Sequence, residues 1–265
     1  MITDTMIENG TGLVRMYLPN LFNFISDKEF EKYLRKSYKH SEKQNFETLN
    51  NFLSTFFMLV EEHRINTSSE IRNEFGYFNF LLGKFKEFEN NKNFKSLILA
   101  TLYNFEFNNF KHVLGEIAAY VDLSREANFV KYERKFDNGK SLDFHFEMGK
   151  QNFYIDVVNI DFEEEKYEKE NFQKFLDRRI LQKFESKSIN LKDEAKERIV
   201  IYPILHGFTV EIIKEQEEYL KSIHISSFSK NSFQCFEPKC FGNIQGTFFK
   251  LFSIDEIVNF EKYYK

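Results

Sequence analysis

The sequence predicts an α/β protein: a helical N-terminal lobe over residues 1–105, then a mixed central sheet flanked by helices over residues 106–265. Three observations carry this expectation. Apolar residues recur every three or four positions through the early part of the chain. The pattern switches to alternation between about 128 and 160, and a short, almost wholly apolar strand follows a long charged helix. In order, the second half reads helix, three strands, helix, strand, helix, which suits a sheet covered by helices.

Residues 1 to about 18 read as an irregular start, and the helical pattern runs from about 20 to 105. In FETLNNFLSTFFMLVEEH, the spacing of Phe46, Leu49, Phe52, Leu53, Phe56, Phe57 and Val60 makes one apolar stripe. Thr67-Ser68-Ser69-Glu70 resembles a helix start, and IRNEFGYFNFLLGKFKEFE continues as a second amphipathic helix. A helix is expected over about 107–122. ANFVKYERKF is then strand-like, and Asp137-Asn138-Gly139-Lys140 is a hairpin turn, because Asn-Gly tolerates positive φ. SLDFHFEM and FYIDVVNI follow as two antiparallel strands separated by a four-residue break, GKQN. A charged helix runs from about 163 to 188, with Glu163, Glu164 and Glu165 as favourable charges at its start. RIVIYPIL has the composition of a strand buried on both faces. A helix over about 209–223 comes next, and a last one near 254–263.

Composition bounds the rest. With 265 residues, 42% hydrophobic and 29% charged, the chain can bury a substantial core. Its 34 Phe and 13 Tyr stand beside no Trp, and the abundance of Phe, Lys, Asn and Ile is what an AT-rich coding genome supplies; most Phe read as core filler. Only 10 Gly and 3 Pro favour long elements over loops. The net charge of −4 gives no global attraction to nucleic acid, although 37 Lys and Arg leave room for a local basic face. Cys235 and Cys240 could serve zinc only with ligands from elsewhere, and read as two unpaired thiols. The start, MITDTMIENG, lacks the basic and apolar regions of a signal peptide, and no apolar run approaches the ~18 residues of a membrane span, so a cytoplasmic location is expected. No phosphate-binding glycine loop, dinucleotide fingerprint or Ser-His-Asp order is present.

The chemistry concentrates on the second hairpin. If Met148 pairs with Phe153 across GKQN, Glu147 faces Tyr154, His145 faces Asp156 and Asp143 faces Val158. Asp143, His145 and Glu147 then share a face with Tyr154, Asp156 and Val158, while Leu142, Phe144, Phe146, Met148, Ile155 and Val157 form the core face. Two aspartates on neighbouring strands suit a shared hard cation such as Mg²⁺ or Mn²⁺. The same pattern also describes the wet face of an amphipathic hairpin. Against that, Val158 and Ile160 suggest that the Asp156 end is covered, and a covered carboxylate needs a partner. His145 is either a ligand or a hydrogen-bonding partner.

These residues resemble the PD-(D/E)XK nuclease superfamily, with its restriction-endonuclease-like fold, over about 100 residues. The likeness rests on the helix Leu114-Gly115-Glu116-Ile117-Ala118-Ala119, the strand Leu142-Asp143-Phe144, and Tyr154-Ile155-Asp156-Val157-Val158-Asn159. It implies that Asp143 and Asp156 are metal ligands and catalytic residues, that Glu116 is an auxiliary metal ligand, and that Mg²⁺ or Mn²⁺ is the cofactor. The family's lysine position is Val158, followed by Asn159, and neither is a cation. Either the domain has lost its chemistry or the lysine has migrated. On the 163–188 helix, Phe172, Leu176, Ile180 and Phe184 define a sheet-facing stripe that includes Lys183, with Arg179 at its edge, so Lys183 is the candidate for the displaced catalytic cation. Alternatively its ammonium snorkels to water.

The resemblance implies a metal-dependent nuclease acting on nucleic acid, DNA in the first place. The alternative is a catalytically inactive nuclease-fold module that binds nucleic acid or a protein partner, with the Phe-rich helical half as its recognition surface or the contact of a homodimer. A third reading is an unrelated α/β scaffold.

Overall fold

The computed structural model describes residues 3–41, 52–62, 73–85, 91–103, 107–162, 169–196, 198–223, 234–244 and 249–264. The protein is mixed α/β, with an open seven-stranded sheet that contains both parallel and antiparallel pairs. It divides into two compact units, one of residues 1–117 with 245–249, the other of 118–244 with 250–265. The boundary expected at 105/106 stands just ahead of a helix within which the units divide.

The first unit is helical: α1 (Asp4–Tyr17), a 3-10 turn (Pro19–Asn23), α2 (Asp27–Ser41), α3 (Phe52–Glu61), α4 (Glu74–Phe85), α5 (Asn91–Tyr103) and the first part of α6 (Phe107–Leu123). The irregular start expected before residue 18 is instead α1. Thr3 caps it by accepting the Met6 amide at 3.2 Å. Two glycines hide this helix from propensity, but Gly10 has a packing reason: a Cβ there would come within 2.9 Å of Leu34 on α2. Phe52, Phe75 and Phe110 are fully buried with ring centroids 5.0 to 5.3 Å apart, so these aromatics are core, as the composition suggested. The proposed helix start at 67–70 and the segment 46–51 lie outside the described residues.

The second unit holds the sheet: β1 (Asn128–Lys135), β2 (Ser141–Met148), β3 (Gln151–Asp161), α7 (Lys169–Ser188), α8 (Asp193–Lys196), β4 (Ile199–His206), α9 (Val210–Glu215), α10 (Glu217–Ser222), β5 (Gln234–Cys235), β6 (Lys239–Asn243), β7 (Phe249–Ser253), α11 (Ile254–Val258) and α12 (Phe260–Tyr264). The strand order is β1-β2-β3-β4-β6-β7, and β5 pairs with β4 ahead of β6. β1, β2 and β3 are antiparallel in turn, and β3 and β4 are parallel. Every residue of β4 is buried, as expected of a central strand. The Asn-Gly turn forms with Gly139 at φ +78°. The helix expected over 209–223 is broken at Gln216 into α9 and α10, and the terminal helix at Asn259 into α11 and α12. Strands β5 to β7 went unforeseen because they are short. Glu163, Glu164 and Glu165 lie outside the described residues. No described helix is long and apolar enough to cross a membrane.

Candidate active site

The turn between β2 and β3 decides which side chains meet. Gly149 adopts φ +64°, which closes a two-residue turn with Lys150, so Met148 pairs with Gln151 rather than with Phe153. The register continues through Glu147↔Asn152, Phe146↔Phe153, His145↔Tyr154 and Phe144↔Ile155. This corrects the four-residue break expected from GKQN. A slip of two residues preserves the period-two faces, so Asp143, His145 and Asp156 remain on one side, but every partner changes. Met148, expected in the core, is exposed at the hairpin tip.

His145 therefore lies across from Tyr154, with ring centroids 5.0 Å apart, and its Nε2 sits 2.7 Å from Asn152 Oδ1. It does not face Asp156, and its contacts are those of a packed, hydrogen-bonding histidine. Continued one step past Phe144↔Ile155, the same register sets Asp143 across from Asp156. There the Asp143 carboxylate accepts the backbone N–H of Val157 at 2.8 Å, which fixes its rotamer.

Asp156 is fully buried. β3 is interior, between β2 and β4, and α7 packs over β3 and β4. The apolar stripe of α7, Phe172, Leu176, Ile180 and Phe184, is buried as its spacing requires. That seating delivers Lys183 Nζ to 3.1 Å from Asp156 Oδ2, and Lys187 Nζ to 3.0 Å from Oδ1. Neither carboxylate oxygen receives a well-aligned hydrogen bond, so charge attraction is what compensates the buried anion. Lys187 also donates to the Ser141 carbonyl at 2.6 Å, tying the end of α7 to β2. Asn138 donates to the Lys187 and Ile189 carbonyls at 3.0 and 2.8 Å, so the β1–β2 turn holds the C-terminus of the same helix. Lys187 was missed in the sequence, although a signal was there: it stands one turn beyond Lys183, on the same helix edge. Arg179 is exposed.

The electrostatics of the two carboxyls are unequal. An edge of Asp143 reaches the surface, yet its carboxyl is deep enough for burial, and next the neighbouring Asp156 charge, to push it up to about 7. Lys183, the Val157 amide and Lys187 pull the other way and do not prevail. A proton or a cation at Asp143 relieves this repulsion. The cluster thus has two carboxyls on adjacent strands, one of them poised near neutrality, with two ammonium groups on the helix above.

The other candidates are not part of this cluster as its contacts define it. Glu116 is half-buried on α6 and belongs to the first unit. Among the described residues no group of three or more His, Cys, Asp or Glu side chains is spaced to hold a metal ion. Val158, at the family's lysine position, is buried, and the Asn159 side chain pairs with His206 at 2.9 Å. Cys235 and Cys240 are free, buried thiols pushed well above the usual range by burial. Compared with protein-family models, with curated proteins and with solved structures, the chain matches none.

Proposed function

We propose that the chain is a metal-dependent nuclease of the PD-(D/E)XK kind that hydrolyses nucleic-acid phosphodiesters, DNA in the first place. The observation that carries this reading is the delivery of Lys183 to Asp156 beside Asp143: the acid pair and its cation share one site although the lysine is absent from β3. The succession of α6, antiparallel β1–β2–β3, α7 and parallel β4 supports a restriction-endonuclease-like arrangement.

Asp143 and Asp156 would be the two protein ligands of a hard divalent cation in this reading. Asp143 has one oxygen committed to the Val157 amide and the other open, and its raised proton affinity marks a place where positive charge is wanted. Mg²⁺ or Mn²⁺ held by Asp143 and Asp156 would supply Lewis acidity and an activated water. Lys183 offers its ammonium to the charge that develops on the phosphoryl oxygens, in place of the lysine that Val158 replaces. Lys187, bound to both Asp156 and Ser141, holds Asp156 in position. Glu116 has no part in this minimal set.

A second reading has its own observation. Both Asp156 oxygens already face ammonium groups, which makes the cluster a charge-balanced strut in an inactive module that binds nucleic acid or a protein. Titration of Mn²⁺ into the wild type and Asp143→Asn, followed by incubation with plasmid and oligonucleotides, separates the two. The nuclease reading expects Mn²⁺ binding that Asp143→Asn removes, and cleavage that Lys183→Met lowers roughly 100-fold while leaving Mn²⁺ affinity intact. A wild type that binds no Mn²⁺ leaves the inactive module.

A further inference from the structure

We propose that a second, phosphate-binding subsite lies at the other end of the same hairpin and grips the nucleic-acid strand away from the carboxylate pair; this rests on the nuclease reading for its substrate. A groove of about 300 Å³ opens there, lined by Lys150, Gln151, Asn152, Phe153, Arg198 and Gln234. Three strand starts build its floor. Gln151 is paired to Met148, the Arg198 carbonyl accepts the Tyr154 amide at 2.9 Å, and Gln234 is paired to Val200. The backbone is thus fixed while Lys150 and Arg198 extend from it.

The composition of the groove selects its ligand. These lining residues comprise two cations, three carboxamides and one aromatic ring, with no acid among them. Lys150 and Arg198 are both exposed, and neither forms an ion pair with a described residue. Two cations on one groove beside neutral carboxamides suit a phosphodiester, because Arg presents a planar fork to phosphate oxygens and Lys a mobile point charge. Asn152 accepts at Oδ1 from the His145 ring, which leaves its amide hydrogens for another acceptor. Phe153 is half-buried and offers a ring edge beside the charges.

The groove is also in line with the carboxylates. Residues 152, 154 and 156 share one face of β3, and the polar path Asn152–His145–Tyr154 leads along it toward Asp156. From Asn152 to Asp156 is about 13 Å of strand, or roughly four steps of a stacked nucleic-acid strand at ~3.4 Å each. A strand gripped here would meet the carboxylate pair at Asp143, whose edge reaches the surface, and not at the fully buried Asp156. Phe153 is the one apolar side chain among these described lining residues, which sets the groove apart from a membrane-binding surface.

The test is binding of a fluorescein-labelled 20-nucleotide single strand, followed by anisotropy over a range of salt concentrations, in Ca²⁺ to prevent turnover. Lys150→Glu/Arg198→Glu is compared with Lys174→Glu/Lys214→Glu, which makes the same charge change at exposed helix positions elsewhere. The expected result is at least tenfold weaker binding for the first pair only, with the salt slope reduced by about 1.4, as two lost contacts to a single strand require. Equal weakening by both pairs, or none by the first, overturns the subsite. So does saturation of the groove by inorganic phosphate in a wild type that fails to bind the oligonucleotide. A protein that binds the strand through these two residues yet cleaves nothing retains the subsite and loses the nuclease reading, so the two failures are distinct.

Discussion

Two clusters in the second unit use the same residue types to opposite ends. Near the C-terminus, Glu256 accepts from Lys250 at 2.6 Å, from Tyr264 at 2.5 Å, and from the Ser253 amide at 2.9 Å through a capping box on α11. Its neighbour Asp255 accepts from Tyr263, Lys221 and Asn259. Every acid there has donors of its own. Burial works against the charge on Glu256, but the Lys250, Tyr264 and Ser253 hydrogen bonds outweigh it and lower its pKa. At the β2–β3 hairpin the proportions reverse. Asp143 has one backbone donor and a carboxylate for a neighbour, and it is pushed up to about 7. An acid surrounded by donors is a strut. An acid pressed against another acid gains from a bound proton or cation, and that difference is what the nuclease reading proposed above draws on.

The largest effect that would break this comparison comes from removing both cations above Asp156. In Lys183→Met/Lys187→Met the fully buried carboxylate loses both counter-charges that the described residues give it, and stripping the partners of a buried ion costs about 3–5 kcal/mol. Urea denaturation should show that loss. Adding Asp156→Asn should recover much of it, because the penalty lies in the unpaired charge and not in the lost methylenes. A triple variant no more stable than the double would mean that packing of α7, and not electrostatics, holds the cluster.

The next effect is smaller and has a sign. The folded-state pKa of Asp143 stands above its unfolded value, so the native state binds more protons between about pH 4 and pH 7. The stability associated with the protonated carboxyl is fully present below the unfolded pKa and lost as pH rises through about 7. The slope is at most about 1.4 kcal/mol per pH unit. In Asp143→Asn that fall should flatten, as read by denaturation midpoints at pH 4.5, 5.5 and 6.5. If Mn²⁺ binds at Asp143, adding it should also flatten the wild-type profile. An unchanged slope in Asp143→Asn would place the proton uptake elsewhere.

Much of this site could be read along the chain. The strand Ser141–Met148, the face shared by Asp143 and Asp156, and the inward position of Lys183 all follow from periods of 2 and 3.6, which are local and robust. The register could not be read with the same security. It depends on whether Gly149 takes positive φ, and Gly-Lys-Gln-Asn admits both a two- and a four-residue turn. That one dihedral exchanged His145 for Asp143 opposite Asp156. Lys187 was overlooked because the stripe was drawn through apolar residues only, although a helix edge one turn on from Lys183 had to point the same way. Helix α1 was lost to its two glycines, of which Gly10 has a tertiary reason, its close approach to Leu34, while Gly12 meets no neighbour. Strands β5 to β7 were lost because two to five residues carry too little period to detect.

The smallest effect sharpens the comparison from the other side. Lys250→Met removes the cation from an acid that retains Tyr264 and the Ser253 amide, and this ion pair is partly open to water. The expected loss is about 0.5–1 kcal/mol, reduced by added salt. Its pH dependence should run opposite to that of Asp143. The pKa of Glu256 is lowered on folding, so its contribution is present above the unfolded carboxyl range and disappears as pH falls through the folded value. Denaturation of Lys250→Met and wild type at pH 3 and pH 6 should give curves that converge at the acid end. For the hairpin acid, the corresponding pair, Asp143→Asn and wild type, should differ most at the neutral end. The two carboxyls would then be told apart by the direction in which pH strengthens each one's contribution to stability, and a parallel response in both pairs would mean that the hairpin cluster is one more strut.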